Sequence, residues 1–410
     1  MTGGLPFAES VPSAWRIVPF GRVVDRVQEI GQPDARPLSV FLDQGVVPRD
    51  SRSDNFNRLG ADLARYLVVK KGDIVFNKLR TWQGGLGVSA FDGIVSPAYF
   101  VCRPLPSIEP RYLHYVLRSH LYLEELTRVS KWMPPSQFDI SWTDLRSINV
   151  AVPSRDTQQS ISDRLDRETA RINALIAAKR RMVELLEEKE YAELSRLVVP
   201  EGCQLAHLRY FATIQGGLTV DATRDPGADP VTSPYLRVAN VQAGRLDLDD
   251  VAEITVPRSL AMRSTLRPKD VLMTEGGDID KLGRGTVWEG ALYGCLHQNH
   301  IFAVRPDPLR LDSWYLALLT QSAHARAYFE RTGVQSTNLA STSSSKILDF
   351  PIPVIPLAAQ REMVSEWKQL SAPRSSMRRI LMDQMLLLKE RHEAVIAAAV
   401  TGQFDIPEAA

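Results

Sequence analysis

Two stretches of the chain carry apolar residues at helical spacing over an unusual length. Residues 157–198 contain neither proline nor glycine, and their apolar side chains recur at Ile161, Leu165, Ile172, Ile176, Val183, Leu186, Leu194 and Leu197. Residues 357–401 repeat the pattern, because Leu381, Leu388 and Val395 fall every seven residues, with Met377, Ile380, Leu387 and Ala394 beside them. The spacing predicts two long amphipathic helices.

Helices of this length need a partner along the apolar seam. A helix of residues 157–198 would be about 60 Å long, well beyond the usual globular length. We therefore expect the two helices to pair with each other; two independent helices, each packed on its own domain, are the alternative. Pro373 is expected to kink or break the second helix early, and Gly402 is a natural stop.

The regions before the two helices resemble each other. Arg103-Pro104 and Arg305-Pro306 lie about 200 residues apart, as do Gln158 and Gln360. Matching phrases keep their order in both halves: KKGDIVFNK, FVCRP, YLHYVL and INVAVP in the first, and PKDVLMTE, FAVRP, WYLALL and FPIPVIP in the second. Both regions mix strand-like runs, Gly/Pro breaks and helical patches, which predicts α/β domains. One extra residue between Pro153 and Gln158, relative to Pro356 and Gln360, predicts unequal pairing of the helices.

The chain has 410 residues, of which 44% are hydrophobic and 24% charged. These values predict a soluble globular protein of two or more domains and exclude a disordered, collagen-like or purely coiled-coil chain. The 49 basic and 48 acidic residues argue against a histone-like polycation. Three widely spaced cysteines indicate no disulfide framework and fit a reducing compartment. Because no signal peptide or membrane span is recognisable, we expect the protein to be cytoplasmic.

Motifs for catalysis or metal binding are weak throughout. Residues 85–90 fit the dinucleotide pattern GxGxxA, but the following Phe-Asp-Gly prevents the helix that such a turn must open. A phosphate-binding P-loop motif is not found. Pro134-Pro135 lacks the polar and aromatic neighbours that an amino-methyltransferase needs. Cys295, His297 and His300 have metal-ligand chemistry, but a strand would point His300 away from the other two side chains. We expect no metal site.

Polar loops that carry cations and aromatic residues are the remaining candidates for function. Arg and Lys can pair with guanine edges and Asn or Gln with adenine, and glycines let a backbone approach a phosphate closely. Solvated surface loops are the alternative interpretation. The candidate DNA-binding residues are Asn77, Lys78, Arg80, Trp82, Gln83, Lys131, Trp132 and Gln137 in the first half, and Lys281, Arg284 and Asn338 in the second.

Several longer phrases are similar to a known family. They are GDIVFNKLRTWQGGLGVS and DGIVSPAYFV in the first half, TEGGDIDKLGRGTVW and CLHQNHIFAVRPD in the second, and LLLKERHEAVIAAAVTGQFDI near the end. The chain resembles the specificity subunit of type I DNA restriction-modification systems over nearly its whole length. The resemblance implies an α/β (α+β) fold with a pseudo-twofold internal repeat, in which two similar globular target-recognition domains are separated by two long antiparallel helices that form a coiled-coil-like spacer.

We place the first recognition domain at residues 1–155, the first helix at 156–199, the second recognition domain at 200–355, the second helix at 356–403 and a tail at 404–410. The resemblance implies that each domain reads one half of a split double-stranded DNA target. It also implies that the chain carries no chemistry: two modification subunits would dock along the helices and methylate adenine, and restriction subunits would join them. S-adenosylmethionine, ATP and Mg²⁺ would then bind the partner subunits and not this chain.

Two other classes of function remain open from the sequence. One is a self-contained DNA methyltransferase or nuclease with an unrecognised motif. The other is an adaptor whose repeated domains bind protein. Methylation or cleavage by the chain alone would favour the first, and partner binding that is insensitive to salt, without DNA retention, would favour the second.

Overall fold

The computed structural model describes residues 10–42, 44–51, 62–133, 137–219, 228–242, 244–277, 282–335 and 340–403. Lys281, Asn338, Pro134-Pro135 and the tail 404–410 lie outside these ranges. The chain forms two compact units, the first from residues 1–179 and 383–410 and the second from residues 180–382. Each unit therefore contains one α/β region and one half of each long helix.

The first unit contains twelve strands and three short helices among its described residues, followed by the first long helix. The strands are β1 (Arg16–Pro19), β2 (Val24–Val27), β3 (Leu38–Phe41), β4 (Gly45–Pro48), β5 (Leu67–Val69), β6 (Ile74–Asn77), β7 (Leu86–Val88), β8 (Gly93–Val95), β9 (Tyr99–Pro104), β10 (Lys131–Met133), β11 (Gln137–Asp139) and β12 (Asn149–Val152). The helices are α1 (Pro110–Arg118), α2 (His120–Val129), α3 (Trp142–Ser147) and the long α4 (Arg155–Val198).

The second α/β region repeats this plan with additional strands. Its strands are β13 (Leu205–His207), β14 (Ala212–Gly216), β15 (Pro230–Leu236), β16 (Val241–Gln242), β17 (Arg245–Leu246), β18 (Ala252–Pro257), β19 (Val271–Thr274), β20 (Gly276–Gly277), β21 (Gly285–Val287), β22 (Leu296–His297), β23 (Ile301–Pro306), β24 (Val334–Gln335), β25 (Ala340–Ser341) and β26 (Pro351–Pro353). The helices are α5 (Arg258–Ser264), α6 (Ser313–Leu319), α7 (Ala323–Thr332), α8 (Ser344–Leu348) and the long α9 (Leu357–Val400).

The same four-stranded antiparallel sheet lies at the centre of both units. Its strand order is β2-β9-β6-β7 in the first unit and β14-β23-β19-β21 in the second. The register is equivalent too, since Ile74 pairs with Cys102 and Val271 pairs with Val304. The central strands are apolar runs without full alternation, because both faces of the sheet are covered. The predicted α/β fold with an internal repeat is confirmed.

An identical ion pair ties together the two central strands of each sheet. Arg103 on β9 donates two hydrogen bonds to Asp73, just before β6, both at 2.9 Å. Arg305 on β23 does the same with Asp270, both at 2.7 Å. The hydrogen bonds to Asp73 raise the pKa of Arg103. Both carboxylates are almost fully buried, so each depends on its arginine for compensation.

Each long helix is fastened to its α/β region by a buried glutamine. Gln158 Oε1 accepts from the Glu109 amide at 2.8 Å, and its Nε2 donates to the Pro153 carbonyl at 3.0 Å. Gln360 Oε1 likewise accepts from the Asp312 amide at 2.8 Å, and its Nε2 donates to the Ile355 carbonyl at 2.8 Å. The glutamines satisfy backbone groups that the helix starts would otherwise leave buried and unpaired.

These bonds correct the expectation of an extra residue at the first helix start. The Gln158 amide donates to the Ser154 carbonyl, and the Gln360 amide donates to the Pro356 carbonyl. Ser154 is thus the counterpart of Pro356, and the two helix starts have equal length. Counting from the prolines misled the sequence comparison because the proline stands one position earlier in the first half.

The two long helices run antiparallel along their shared seam. In the first unit, Ile161 and Leu165 near the start of α4 share a core cluster with Ala399 and Val400 at the end of α9. In the second unit, Leu194 and Val198 at the end of α4 share a cluster with Val364 near the start of α9. The predicted pairing of the two helices with each other is confirmed.

Burial along the helices follows the heptad spacing for most of the predicted residues. Ile161, Leu165, Ile172, Val183 and Leu381 are buried, and Ile176, Leu186, Leu388 and Val395 are half-buried. Met377 departs from the pattern, since 47% of its surface is exposed. The reason is the frame: the less exposed positions of α9 in this turn are Arg374, Arg378 and Leu381, and Met377 lies beside them on the outer face.

Pro373 does not break α9, so the expectation of a break at this proline is wrong. The helix continues unbroken from Leu357 to Val400. Two interhelical ion pairs follow the proline: Arg374 contacts Glu193 at 2.5 Å and Arg378 contacts Glu190 at 2.6 Å. These contacts with α4 follow the turn in which the proline removes a backbone hydrogen bond, and they hold the next part of α9 against α4. The predicted stop at Gly402 is confirmed by its positive φ of 73°.

Candidate nucleic-acid interface

The loop between β6 and β7 of the first unit is held by its own backbone. Asn77 Oδ1 accepts from the Leu79 amide at 3.2 Å, and the Asn77 carbonyl accepts from the Thr81 hydroxyl at 2.7 Å. Gly85 lies so close to Arg80 that a Cβ atom would stand 2.7 Å from the Arg80 carbonyl oxygen. The loop is therefore an ordered turn, and Asn77 helps to hold it through its side-chain oxygen and its carbonyl.

The predicted cations and Gln83 lie on the outer side of this turn. Lys78 Nζ is 4.6 Å from the centroid of the Phe100 ring and 3.4 Å from the Pro97 carbonyl oxygen. Arg80 and Gln83 are exposed. Lys78 is thus held against an aromatic ring, whereas Arg80 and Gln83 extend into solvent.

Three aromatic rings join this loop to the neighbouring β10–β11 hairpin. Phe138 lies between Trp82 and Trp132, with ring centroids 5.0 Å and 4.9 Å away. Trp82 Nε1 donates to the Leu79 carbonyl at 3.2 Å, and Trp132 faces Phe138 across the hairpin. Trp132 remains 49% exposed. We call Trp82, Phe138 and Trp132 the aromatic platform: a cluster in which neighbouring ring planes are inclined by 54° and 62° and the outer ring is open to solvent.

The structure brings together several, but not all, of the predicted residues. Lys131 is exposed beside Trp132, and the backbone of Gln137 pairs with Met133 in the hairpin. Phe138 was not among the predicted site residues. Its place opposite Trp132 follows from strand pairing, which the sequence does not reveal.

A cavity of about 730 Å³ lies on the same unit, lined by three arginines from three elements. Arg22 comes from the turn after β1, Arg128 from the end of α2 and Arg146 from α3. Glu125 also lines it, and its carboxylate accepts from Arg128 at 2.5 and 2.7 Å. We call this the arginine cavity. Sequence reasoning missed it because its residues are far apart along the chain.

Arg128 links the arginine cavity to a second, shallow depression. This depression has a volume of about 520 Å³ and is lined by Trp82, His120, Leu123, Glu124, Thr127 and Arg128. Since Trp82 belongs to the aromatic platform and Arg128 to the arginine cavity, the three features form one continuous surface on the first unit.

The equivalent surface of the second unit has different chemistry. Its β24–β25 hairpin is joined by β20, so that a third strand occupies this region of the second unit. Val334 on this hairpin is 61% exposed, and Arg284 is half-buried. Lys281 and Asn338 lie outside the described residues. Each unit thus has its own copy of the four-stranded sheet, and the two copies present different side chains.

The residues with metal-ligand chemistry are otherwise engaged. Cys295 and His297 are buried; burial raises the pKa of the Cys295 thiol to about 12 and lowers the pKa of His297. His300 contacts Glu275 at 2.5 Å. Within the described part of the chain, no three His, Cys, Asp or Glu side chains are placed to hold a metal ion. The GxGxxA stretch forms β7, so it opens a strand and not a helix.

Comparisons with known proteins agree over almost the whole chain. The specificity subunit of the type I restriction enzyme StySPI from Salmonella potsdam is 22% identical, covering 96% of this chain and 90% of the relative. The corresponding subunit of EcoKI from Escherichia coli K12 is 21% identical, covering 97% and 90%. No family model matches the sequence.

Two solved structures share the fold. A chain from work on the complex assembly and conformational transition of the type I R-M system has a TM-score of 0.74 at 16% identity, covering 96% of this chain and 99% of its own length. The HsdS subunit from Thermoanaerobacter tengcongensis has a TM-score of 0.52 at 17% identity, covering 98% and 100%.

The fold has two related α/β regions and a pair of long antiparallel helices. The relatives that match over nearly the whole length are type I restriction enzyme specificity subunits, and the chain is similar to them. The resemblance expected from the sequence is confirmed. Across the described ranges, none of the helices is both long and apolar enough to cross a membrane.

Proposed function

We propose that this chain is the non-catalytic subunit that reads DNA sequence in a type I restriction-modification complex. Each α/β region would read one half of a split double-stranded target. The observation that carries the proposal is the repeated sheet, β2-β9-β6-β7 and β14-β23-β19-β21, with different loop surfaces on the two copies. A shared frame with different loops is what two unlike half-sites require.

The surface of the first unit has the chemistry for contact with DNA. The open ring of the aromatic platform can pack against base edges and thymine methyl groups that face a groove of the duplex. Lys131, Arg80 and the arginine cavity supply cations for phosphates and base edges. The Asp73–Arg103 ion pair lies at the other end of β6 from this loop, and its role is structural.

The long helices carry surface suited to partner subunits. In the second unit Met182, Leu185, Met377, Ile380 and Met382 are each about half exposed, and in the first unit Leu175, Leu386 and Leu387 are exposed as well. Apolar side chains in this number on a helix surface indicate a protein contact. The proposal assigns them to the modification subunits, two in number, which would carry S-adenosylmethionine; restriction subunits would carry ATP and Mg²⁺.

The proposal predicts a single split motif. The chain would be purified with its modification subunit and supplied with S-adenosylmethionine and a library of random duplexes, and modified adenines would be located by sequencing. We expect every modified adenine to lie in one motif of two short blocks separated by a fixed gap. Methylation without a common motif would contradict the proposal, and methylation by the chain alone would favour a self-contained enzyme.

Replacing Trp132 by alanine should weaken recognition of one half-site only. The change removes the open ring of the platform, and loss of the contacts to one base pair costs about 1–3 kcal/mol of binding free energy. We expect about 5- to 150-fold weaker binding to the full target by the assembled complex, measured by fluorescence anisotropy. Trp132→Phe should retain most of the affinity.

The matched control is Tyr293→Ala, which removes another exposed aromatic ring, on the second unit, where it is 100% exposed. It should bind the target like the unchanged complex. If Trp132→Ala and Tyr293→Ala bind equally well, the platform does not contact DNA.

A further inference from the structure

The arginine cavity gathers positive charge without matching negative charge. Arg22, Arg128 and Arg146 line it, and Glu125 is the acidic residue of the lining. Glu125 is engaged by Arg128 through two hydrogen bonds. Within the described ranges, Arg22 and Arg146 have no acidic partner, whereas Arg36, Arg103, Arg111 and Arg155 of the same unit each contact a carboxylate. Two of the three guanidinium groups around the cavity therefore lack a carboxylate among the described residues, and this excess of positive charge favours binding of an anion.

Buried anchors hold these arginines in place. The turn Phe20–Arg22 is fixed by Phe20, whose amide donates to the Ile148 carbonyl at 2.6 Å. Gly21 allows close contact with α3, since a Cβ atom there would stand 3.0 Å from the Arg146 Cβ atom. Phe20 and Leu145 are fully buried beside the exposed Arg22 and Arg146. The fold therefore fixes the backbone positions from which Arg22 and Arg146 reach the cavity.

The second unit lacks this arrangement at the equivalent place. Its turn Leu208–Tyr210 corresponds to Phe20–Arg22, because each follows the edge strand that pairs with the last strand of its region. Arg209 stands where the first unit has Gly21, and it forms an ion pair with Asp349. Tyr210 replaces Arg22. At this turn the second unit therefore has one arginine that is paired with a carboxylate, where the first unit has the unpaired Arg22.

We infer that the arginine cavity binds a phosphate diester of the DNA backbone and so sets the position of the first unit on its half-site. The assignment rests on the proposed function. Planar guanidinium groups donate paired hydrogen bonds to phosphate oxygens. Arg128 connects the cavity to the depression lined by Trp82, so a strand whose base meets the aromatic platform has a phosphate-binding site on the same surface. Such a contact positions the protein without reading a base.

The test uses the full chain assembled with its modification subunit. Affinities for the target duplex and for a random duplex would be measured over a series of salt concentrations for the unchanged complex, for the double variant Arg22→Ala/Arg146→Ala, and for Arg22→Lys/Arg146→Lys. Arg263→Ala, an exposed arginine on α5 of the second unit, is the matched control. Thermal unfolding in inorganic phosphate, compared with chloride of equal ionic strength, would be recorded for each.

The double alanine variant should bind both duplexes about tenfold more weakly at low salt, with the slope of log K against log salt reduced by about 1 and the methylated motif unchanged. The lysine variant should keep the slope, and the control should match the unchanged complex. An unchanged slope in the alanine variant would overturn the inference. Stabilisation by inorganic phosphate that the alanine variant loses, with an unchanged slope, would instead assign a free anion and also overturn it. Failure of the unchanged complex to select any motif would defeat the proposed function itself.

Discussion

Replacing Asp270 by alanine should lower the free energy of unfolding of the second unit by about 3–5 kcal/mol, because it leaves the half-buried Arg305 without its charge partner. Asp270 is buried, and its carboxylate accepts from Arg305 and from the Arg267 amide at 2.8 Å. The single change thus removes an ion pair and a backbone contact at the start of β19. Urea denaturation followed by circular dichroism would measure the loss.

The repeat supplies a matched variant for this prediction. Asp73→Ala makes the same change in the first unit, where the Arg103 side chain is 39% exposed and Arg305 is 25% exposed. The cost should therefore be smaller in the first unit, since water compensates Arg103 better. Asp249→Ala, an exposed acid of the second unit, should change stability little. Equal stability of Asp270→Ala and Asp249→Ala would show that the buried pair contributes nothing.

Replacing Leu381 by aspartate should disrupt the pairing of α4 and α9. Leu381 is 4% exposed on the seam, so the change removes apolar contacts and buries a charge without a partner. Loss of a buried leucine costs about 2–5 kcal/mol, and the charge adds to it. We expect a lower unfolding midpoint and failure to form a complex with the modification subunit, measured by circular dichroism and size-exclusion chromatography.

Met377→Asp on the same helix is the control for the Leu381 prediction. Met377 is 47% exposed, so an aspartate there remains in water and should leave the unfolding midpoint nearly unchanged. Complex formation by Met377→Asp does not serve as a control, because Met377 belongs to the surface that we assign to the modification subunits. A Leu381→Asp chain as stable as Met377→Asp would show that Leu381 is not part of the seam.

The long helices illustrate how far periodic patterns carry. Apolar spacing predicted residues 157–198 and 357–401 as helices, and the observed α4 and α9 begin and end within two residues of those limits. Predictions from local sequence failed where contacts with other elements outweigh the local preference. Pro373 removes a backbone hydrogen bond, but Arg374 and Arg378 contact α4 just after it. The sequence predicted Met377 as a seam residue, but the seam position is the neighbouring Arg378, because apolar character alone does not define the heptad register.

The candidate interface was predictable only in part. Glycines, cations and aromatic residues marked the loop after β6, and the structure places Trp82 and Trp132 in the aromatic platform. Phe138 was missed because it joins the platform through strand pairing. The arginine cavity was missed because Arg22 approaches Arg146 through the packing of α3 on Gly21. Asn77 also stabilises its own turn, because its Oδ1 accepts from the Leu79 amide, and its predicted contact with DNA stays a prediction.

The order of residues along the chain was enough to predict the repeat, the two long helices and the resemblance to specificity subunits, because these depend on periodicity and on phrases that lie within one segment. Which side chains share a surface depended on folding, because residues such as Arg22 and Arg146 are brought together by sheet pairing and helix packing. The same sheet built twice carries an uncompensated arginine cavity in one unit and a neutral ion pair in the other. A difference of that kind follows from long-range contacts, which no local pattern encodes.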